Sequence, residues 1–478
     1  MGDERYSFVV VSNRLPVDRV DDGSGPAEWR PSPGGLVTAL EPVMRRLGGA
    51  WVGWPGQAGP APEAFDHDGI HIVPVSLSRD ELRDYYEGFS NDTLWPLYHD
   101  VISPPAYHRD WWDAYRRVNR RFAEAAAEAV VEGGTVWVHD YQLQLVPRML
   151  RDLRPDLVIG YFNHIPFPSY GIYAQLPWRS QIVDGLLGAD VIGFQRGHDA
   201  ENFSQSARRL RGLRTQGGMI HVPTDDNGRD SRDVIVRPFP ISIDFAEFEA
   251  LARRPDVIER ATEIRRELGD PNIVLLGVDR LDYTKGIGHR IKAVGELFED
   301  GKLRVGDTVL VQVASPSRER VEAYMQLRDE IELTVSRING DVATVGHPAI
   351  SYLHQSYPRE EMAALYLAAD VMLVTALRDG MNLVAKEFVA ACVDGDGVLV
   401  LSEFTGAADQ LRQALLINPH DIEGLKDAIM AAVNMPAAER KRRMRALRRR
   451  VREFDVAKWS ESFLAELDAV RAARVEPA

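Results

Sequence analysis

Several short stretches of the chain carry polar residues whose types and spacing suit the chemistry of anions and sugars. In Asp279-Arg280-Leu281-Asp282-Tyr283-Thr284-Lys285-Gly286 two cations stand five residues apart. Such a pair can neutralise a diphosphate, or it can form surface ion pairs with Asp279 and Asp282. Farther on, Arg378-Asp379-Gly380-Met381-Asn382-Leu383-Val384 leads into a helical pattern with Glu387 one turn inside. A helix start offers backbone N–H groups to an anion, and a carboxylate one turn in suits a ribose hydroxyl pair. Near the N-terminus, Ser12-Asn13-Arg14 follows an apolar run and Gly34-Gly35 opens a helical one. A guanidinium beside such a turn can grip a phosphate, although Gly-Gly before a helix is also a routine turn. Trp137-Val138-His139-Asp140-Tyr141 and Asn163-His164-Ile165-Pro166-Phe167-Pro168 each place polar groups just past an apolar run. Trp51, Trp54, Tyr86 and Trp95 serve either as core or as flat faces for sugar rings.

These groups share one setting. Most of the polar groups directly follow one of the short, nearly continuous apolar runs at 8–11, 135–138, 157–162 and 191–194, then 273–278, 308–313, 371–374 and 398–401. Between the runs lie helical patterns, for example 143–153, 289–298, 320–337 and 362–369. Unbroken apolar strands alternating with helices predict parallel sheets covered on both faces, with ligands beyond the carboxyl ends of the strands. Residues 217–230 read as a loop or exposed hairpin, and Pro238 and Pro240 suit an extended connector. Two doubly wound halves that meet near residue 240 are therefore expected.

Composition narrows the function classes. Of 478 residues, 45% are hydrophobic and 27% charged, which excludes wholesale disorder. With 57 basic and 71 acidic side chains the net charge is −14, which argues against a general nucleic-acid binder. No run approaches the ~18 apolar residues of a membrane span, and Met1-Gly2-Asp3-Glu4-Arg5 is not read as a leader. The single cysteine, Cys392, allows no internal disulfide and suits a reducing cytoplasm. The P-loop, the HExxH helix, the nucleophile elbow and cysteine metal pairs are absent, and Asp394-Gly395-Asp396 reads as a turn. Nine basic residues fall within 440–452. They are read as a solvated helix face with Met444, Leu447 and Val451 as its apolar stripe, rather than a nucleic-acid or polyphosphate patch.

In order along the chain these motifs resemble the trehalose-6-phosphate synthase family of retaining glycosyltransferases. The carriers are Ser12-Asn13-Arg14, Gly34-Gly35-Leu36, Trp51-x-Gly53-Trp54, Tyr86 with Phe89-Ser90-Asn91 and Leu94-Trp95-Pro96, and Trp137-x-His139-Asp140-Tyr141. They continue with the His164 to Pro168 motif, Arg280-Leu281-Asp282-Tyr283-x-Lys285-Gly286, Arg378-Asp379-Gly380-Met381-Asn382-Leu383 and Glu387. The likeness spans roughly residues 8 to 459. It implies the GT-B fold, an α/β architecture of two Rossmann-like domains facing a central cleft. Residues 1–241 would form an acceptor domain and 242–455 a nucleotide-sugar domain, with 456–478 a helix crossing back to the first.

The resemblance implies transfer of glucose from a nucleotide-glucose to glucose 6-phosphate, giving α,α-trehalose 6-phosphate. Arg14, the Gly35 backbone, Tyr86 and Arg318 would hold the acceptor phosphate, and Trp54, Trp95 and Asp140 the acceptor sugar. His164 and Asp379 would bind donor glucose hydroxyls, Gly35 and the backbone of Asn382, Leu383 and Val384 would also touch the donor, Arg280 and Lys285 would hold its diphosphate, and Glu387 its ribose. Arg280, Lys285, Asp140, His164 and Asp379 are the expected catalytic group; no protein nucleophile, metal or cofactor is called for. A cytoplasmic homo-oligomer without nucleic-acid or membrane partners is expected. Two departures stand out: Ser242 occupies a position where the family usually has glycine, and residues 346–350 depart from the base-recognition pattern. The donor base is therefore open, with UDP the family default and GDP or ADP used by relatives. The alternatives are a synthase using glycerol 3-phosphate or a cyclitol phosphate, and a non-catalytic sugar-phosphate sensor.

Overall fold

The computed structural model describes residues 5–20, 28–32, 35–224, 231–318 and 321–475. Gly34 of the glycine pair and residue 320, where one predicted helix begins, lie outside the described residues. The chain divides into two compact units, Met1–Pro240 joined by Ala457–Ala478, and Ile241–Val456.

The first unit contains β1 (Tyr6–Arg14), β2 (Val17–Val20), β3 (Glu28–Pro31), β4 (Ala50–Trp54), β5 (Phe65–His67), β6 (Ile70–Pro74), β7 (Val130–His139), β8 (Val158–Phe162), β9 (Val191–Phe194), β10 (Arg214–Gln216), β11 (Met219–Pro223) and β12 (Ser231–Pro238). Ten of these form one sheet in the order β10-β11-β12-β9-β8-β7-β1-β4-β6-β5, parallel from β12 to β6. The strand order reverses between β1 and β7, and at that reversal the helices leave opposite faces and open a crevice.

The second unit contains β13 (Ile273–Arg280), β14 (Thr308–Ser315), β15 (Ile350–Leu353), β16 (Val371–Val374), β17 (Val398–Ser402) and β18 (Leu415–Ile417). Its sheet is wholly parallel in the order β15-β14-β13-β16-β17-β18, the Rossmann arrangement, with its reversal between β13 and β16. The central strands are buried on both faces, as their unbroken apolar runs require; every residue of β4, β8, β9, β16 and β17 is buried.

The helix predicted over 143–153 begins later, at Val146, because Tyr141–Leu143 forms a single tight 3₁₀ turn and Pro147 suits a first helical turn. The terminal helix Val456–Val475 lays Phe463 flat on Trp137, ring centroids 4.5 Å apart. Glycines make room for it: a Cβ on Gly160 or on Gly193 would come within 2.8 Å of the Phe463 ring. The arginine-rich segment is the helix Ala437–Glu453, with Met444, Leu447 and Val451 buried. Arg448 departs from the solvated-face reading. Its guanidinium turns inward to donate to the carbonyls of Val389 and Ala390, in the last turn of the helix Leu383–Ala391, and to pair with Glu249. Open carbonyls at a helix end attract a cation, which is why this one arginine is drawn in. No described helix is long and apolar enough to cross a membrane.

Candidate active site

In each unit the nominated side chains collect where the strand order reverses. In the first, β1 ends in Arg14, β4 in Trp54, and Asp140 follows β7 directly. The Arg14 guanidinium lies 5.1 Å from the centre of the Trp54 ring, and Trp54 in turn packs on Tyr86 at 5.7 Å. Arg14 pairs with Asp18 through Nη2, but among the described residues its buried Nε has no acceptor. A cation with one donor spent and another unspent is suited to a further anion. Gly56 makes the space: a Cβ there would sit 2.3 Å from Arg14 Nη2, and its φ of +92° also favours glycine. Gly35 opens the helix Gly35–Leu47.

Tyr86 and Trp95 are set by an uncommon element. Leu82–Leu94 is a π-helix, closed by an N–H of Trp95 that reaches the carbonyl of Ser90. Its wider turn places Tyr85, Phe89 and Leu94, spaced by four and five residues, on one buried stripe. Gly88 is obligatory within it, since a Cβ would fall 2.5 Å from the Trp111 ring. Tyr85 donates to Asn13 Oδ1 (2.7 Å), and Tyr141 donates to Asn91 Oδ1 (2.7 Å). Trp95 packs 5.7 Å from Tyr141, the neighbour of Asp140. Long π-helices are rare, and where they occur they are frequently at functional sites.

Asp140 has φ 75° and ψ 168°, a region almost reserved for glycine. The surroundings hold it there: its N–H donates to Phe162 O (2.8 Å), and its Oδ1 accepts from the N–H of His164 (3.1 Å). Nδ1 of His139 and Nε2 of His164 lie 3.0 Å apart. Desolvation pushes both imidazoles down, His164 to about 3, so both are neutral, although an edge of His164 stays accessible.

In the second unit, Lys285 donates to Asp379 Oδ2 at 2.6 Å, and Asn382 Nδ2 reaches the same oxygen at 3.2 Å. Asn382 caps the helix Leu383–Ala391 by accepting from Ala385 N–H, which leaves the amides of Leu383 and Val384 without an intrahelical acceptor. Gly286, φ 64°, could not carry a Cβ, which would lie 2.1 Å from Thr375 O. Arg280 and Arg318 are brought together on Asp282, at 3.7 and 3.3 Å. Asp282 also accepts from the N–H and hydroxyl of Thr284, and from Tyr324 at 3.3 Å. Burial alone would raise this carboxyl; Arg318, Arg280, Lys285 and the Thr284 N–H outweigh it and bring it down to about 2. Glu387 accepts from the buried Tyr366 hydroxyl at 2.8 Å, and burial raises its pKa.

Three of the nominated residues, Asp140, Arg318 and Asn382, are among the seven described non-glycine residues with positive φ. Backbone strain of this kind persists where neighbouring contacts over-determine it, typically at working sites. Sequence reasoning does not reach Gly56, the hub role of Asp282, or the partners Tyr324, Tyr366 and His139. It finds Asp282 only as an ion-pair partner, and the other four act through contacts distant in sequence. Among the described residues no three His, Cys, Asp or Glu side chains are grouped as a metal site requires.

Comparison with known proteins places the chain in a family. The chain is 58% identical over 471 residues to the trehalose-6-phosphate synthase of Mycolicibacterium gilvum, covering 97% of this chain and 94% of that one. The solved α,α-trehalose-phosphate synthase (UDP-forming) of Burkholderia vietnamiensis superposes with a TM-score of 0.89 at 34% identity, covering 99% of each chain. The Burkholderia xenovorans enzyme solved with glucose-6-phosphate gives 0.88 at 33%, covering 96% of this chain and 99% of that one. The model of glycosyltransferase family 20 matches residues 6–469, so both Rossmann-like sheets of this GT-B fold lie inside the match, and the chain belongs to that family.

Proposed function

We propose that this enzyme transfers glucose from UDP-glucose to glucose 6-phosphate with retention, forming α,α-trehalose 6-phosphate and UDP. The observation that carries the reading is the second unit's reversal point. There Lys285, Arg280 and the amides of Leu383 and Val384 supply positive charge, with the carboxylates Asp379 and Glu387 just before and inside the same helix. The relatives named above supply the choice of donor and acceptor.

In this reading the bond from glucose C1 to the diphosphate oxygen breaks and a bond from C1 to the acceptor's anomeric oxygen forms on the same face. The acceptor's proton passes to the leaving phosphate oxygen, so no protein nucleophile is required. Arg280 and Lys285 hold the diphosphate as its charge grows, and stabilisation of that kind is usually the largest catalytic contribution. Asn382, Leu383 and Val384 add backbone contacts, and Glu387, oriented by Tyr366, holds the ribose. Arg14, Gly35, Tyr86 and Arg318 hold the acceptor phosphate, and Trp54, Trp95 and Asp140 orient its sugar. Remote phosphate binding thereby positions the reacting hydroxyl. His164 and Asp379 take hydroxyls of the donor glucose.

Offered glucose 6-phosphate with UDP-, GDP- and ADP-glucose separately, the enzyme is expected to turn over UDP-glucose fastest and to yield a phosphorylated non-reducing disaccharide. Failure to release nucleotide from any of the three donors would overturn the reading. Glycerol 3-phosphate as a better acceptor would overturn its acceptor half. A second expectation concerns Arg14. Gly56→Ala pushes its guanidinium aside, so the KM for glucose 6-phosphate should rise about tenfold, the scale of one charge-assisted contact, while the donor KM stays within twofold. Steady-state kinetics in each substrate checks this.

A further inference from the structure

His139 has no place in the scheme above, yet its surroundings leave it only one comfortable protonation pattern. The residue is fully buried, between Trp137 at 4.6 Å and Phe162 at 6.4 Å, with its Nδ1 3.0 Å from Nε2 of His164. Its other nitrogen, Nε2, is buried and has no hydrogen-bond partner among the described residues. The indole N–H groups of Trp137 and Trp459 are also buried without acceptors among the described residues, and Trp459 lies 5.3 Å from Trp137 and 6.2 Å from His164. This cluster therefore already holds two N–H donors with nothing to accept them. A proton on His139 Nε2 would add a third, and an orphaned buried N–H is tolerated less often than an under-used acceptor.

We infer that His139 is a positioning residue that fixes the tautomer of His164: His139 Nδ1–H donates to His164 Nε2, so His164 carries its own proton on Nδ1. The neutrality of both rings, imposed by burial, is consistent with one shared proton in this contact. Among the described residues His164 has no other side-chain hydrogen bond, so its Nδ1–H is kept for a ligand. The consequence is selective. With Nε2 occupied as an acceptor, His164 can present only a donor, and it therefore recognises a sugar oxygen as acceptor. The backbone adds a second restraint, since His164 N–H is held by Asp140 and cannot easily rotate away. The functional half of this inference rests on the proposed contact of His164 with the donor glucose.

The test combines spectroscopy on the free enzyme with kinetics. Long-range ¹⁵N–¹H correlation spectra of the histidine-labelled full chain are expected to show His164, identified by its loss in His164→Gln, as the Nδ1–H tautomer. His139→Asn, whose amide can place a donor near the original Nδ1, should keep that pattern. His139→Leu, which offers no donor, should lose it. Kinetically, His139→Leu should raise the UDP-glucose KM about tenfold, the scale of one misdirected hydrogen bond, with the glucose 6-phosphate KM within twofold, and His139→Asn should recover most of the loss. Observation of His164 as the Nε2–H tautomer in the wild type, or an unchanged tautomer in His139→Leu, would overturn the assignment. If the tautomer changes in His139→Leu while the donor KM does not, the donor-glucose contact of His164 is overturned instead.

Discussion

Replacing Arg280 by alanine is expected to lower kcat with UDP-glucose by about 100- to 1000-fold, the usual loss when one preorganised charge on a leaving group is removed. The fold should barely register the change. The Arg280 side chain is 46% exposed, and its approach to Asp282, at 3.7 Å, is longer than a good hydrogen bond. Its outer end is solvated and the buried Asp282 keeps Arg318, Thr284 and Tyr324, so loss of this one long contact should cost roughly 0–1 kcal/mol. The two readouts therefore separate: turnover collapses while the thermal midpoint stays near that of the parent. Turnover at the parent rate would remove Arg280 from the leaving-group role. Lys285 is a less clean probe, because its ammonium is also the partner of Asp379, and its loss would leave that carboxylate without its cation.

Asp282→Ala should damage both stability and catalysis. The carboxylate is fully buried and serves Arg318, Tyr324, Thr284 and Arg280 at once. Removal of one partner from a buried, charged network typically costs about 3–5 kcal/mol, because the remaining charge is stranded. On the proposed roles, Arg318 and Arg280 would both lose their anchor, so the KM values of acceptor and donor should rise together, unlike the one-sided effect expected for Gly56→Ala. The pH dependence follows from the sign of the shift. Asp282 titrates at about 2, below its ordinary 3.8, so its contribution to stability is complete above the ordinary value and is lost as pH falls through about 2. Asp282→Asn should flatten that acid limb. Chemical unfolding at a series of pH values checks it, and parental stability at every pH would overturn the hub assignment.

Much of this organisation is legible in the residues themselves. Strands such as β9 and β16 are short apolar runs between turn residues, and a parallel sheet buried on both faces leaves few other ways to use them. The polar groups at their carboxyl ends mark the sites for the same reason. Other features depend on contacts the sequence does not display. The spacing of Tyr85, Phe89 and Leu94 matches an α-helix for its first step of four but not for its second of five, so the π-helix is not legible from the usual helix and strand periods. Arg448 looks like its neighbours in an arginine-rich run, and only the helix end opposite it draws it inward. Gly56 carries no signal in the sequence, because what requires it is the Arg14 guanidinium beside it. His139 and His164 are 25 residues apart in sequence, and it is the pairing of β7 with β8 that brings their nitrogens together.

The docking of Phe463 into the space left by Gly160 and Gly193 has a consequence for how the protein is made. Because the first unit contains both ends of the chain, its sheet emerges from the ribosome without the helix that covers β8 and β9. That helix follows only after about 200 further residues, on the order of 10–40 s of translation at usual rates of roughly 5–20 residues per second. For that interval Trp137 and Phe162 lack the aromatic cover they have in the finished fold. The nascent N-terminal half thus keeps apolar surface open for longer, whereas the second unit, contiguous in sequence, can close as soon as its last strand and helices are free.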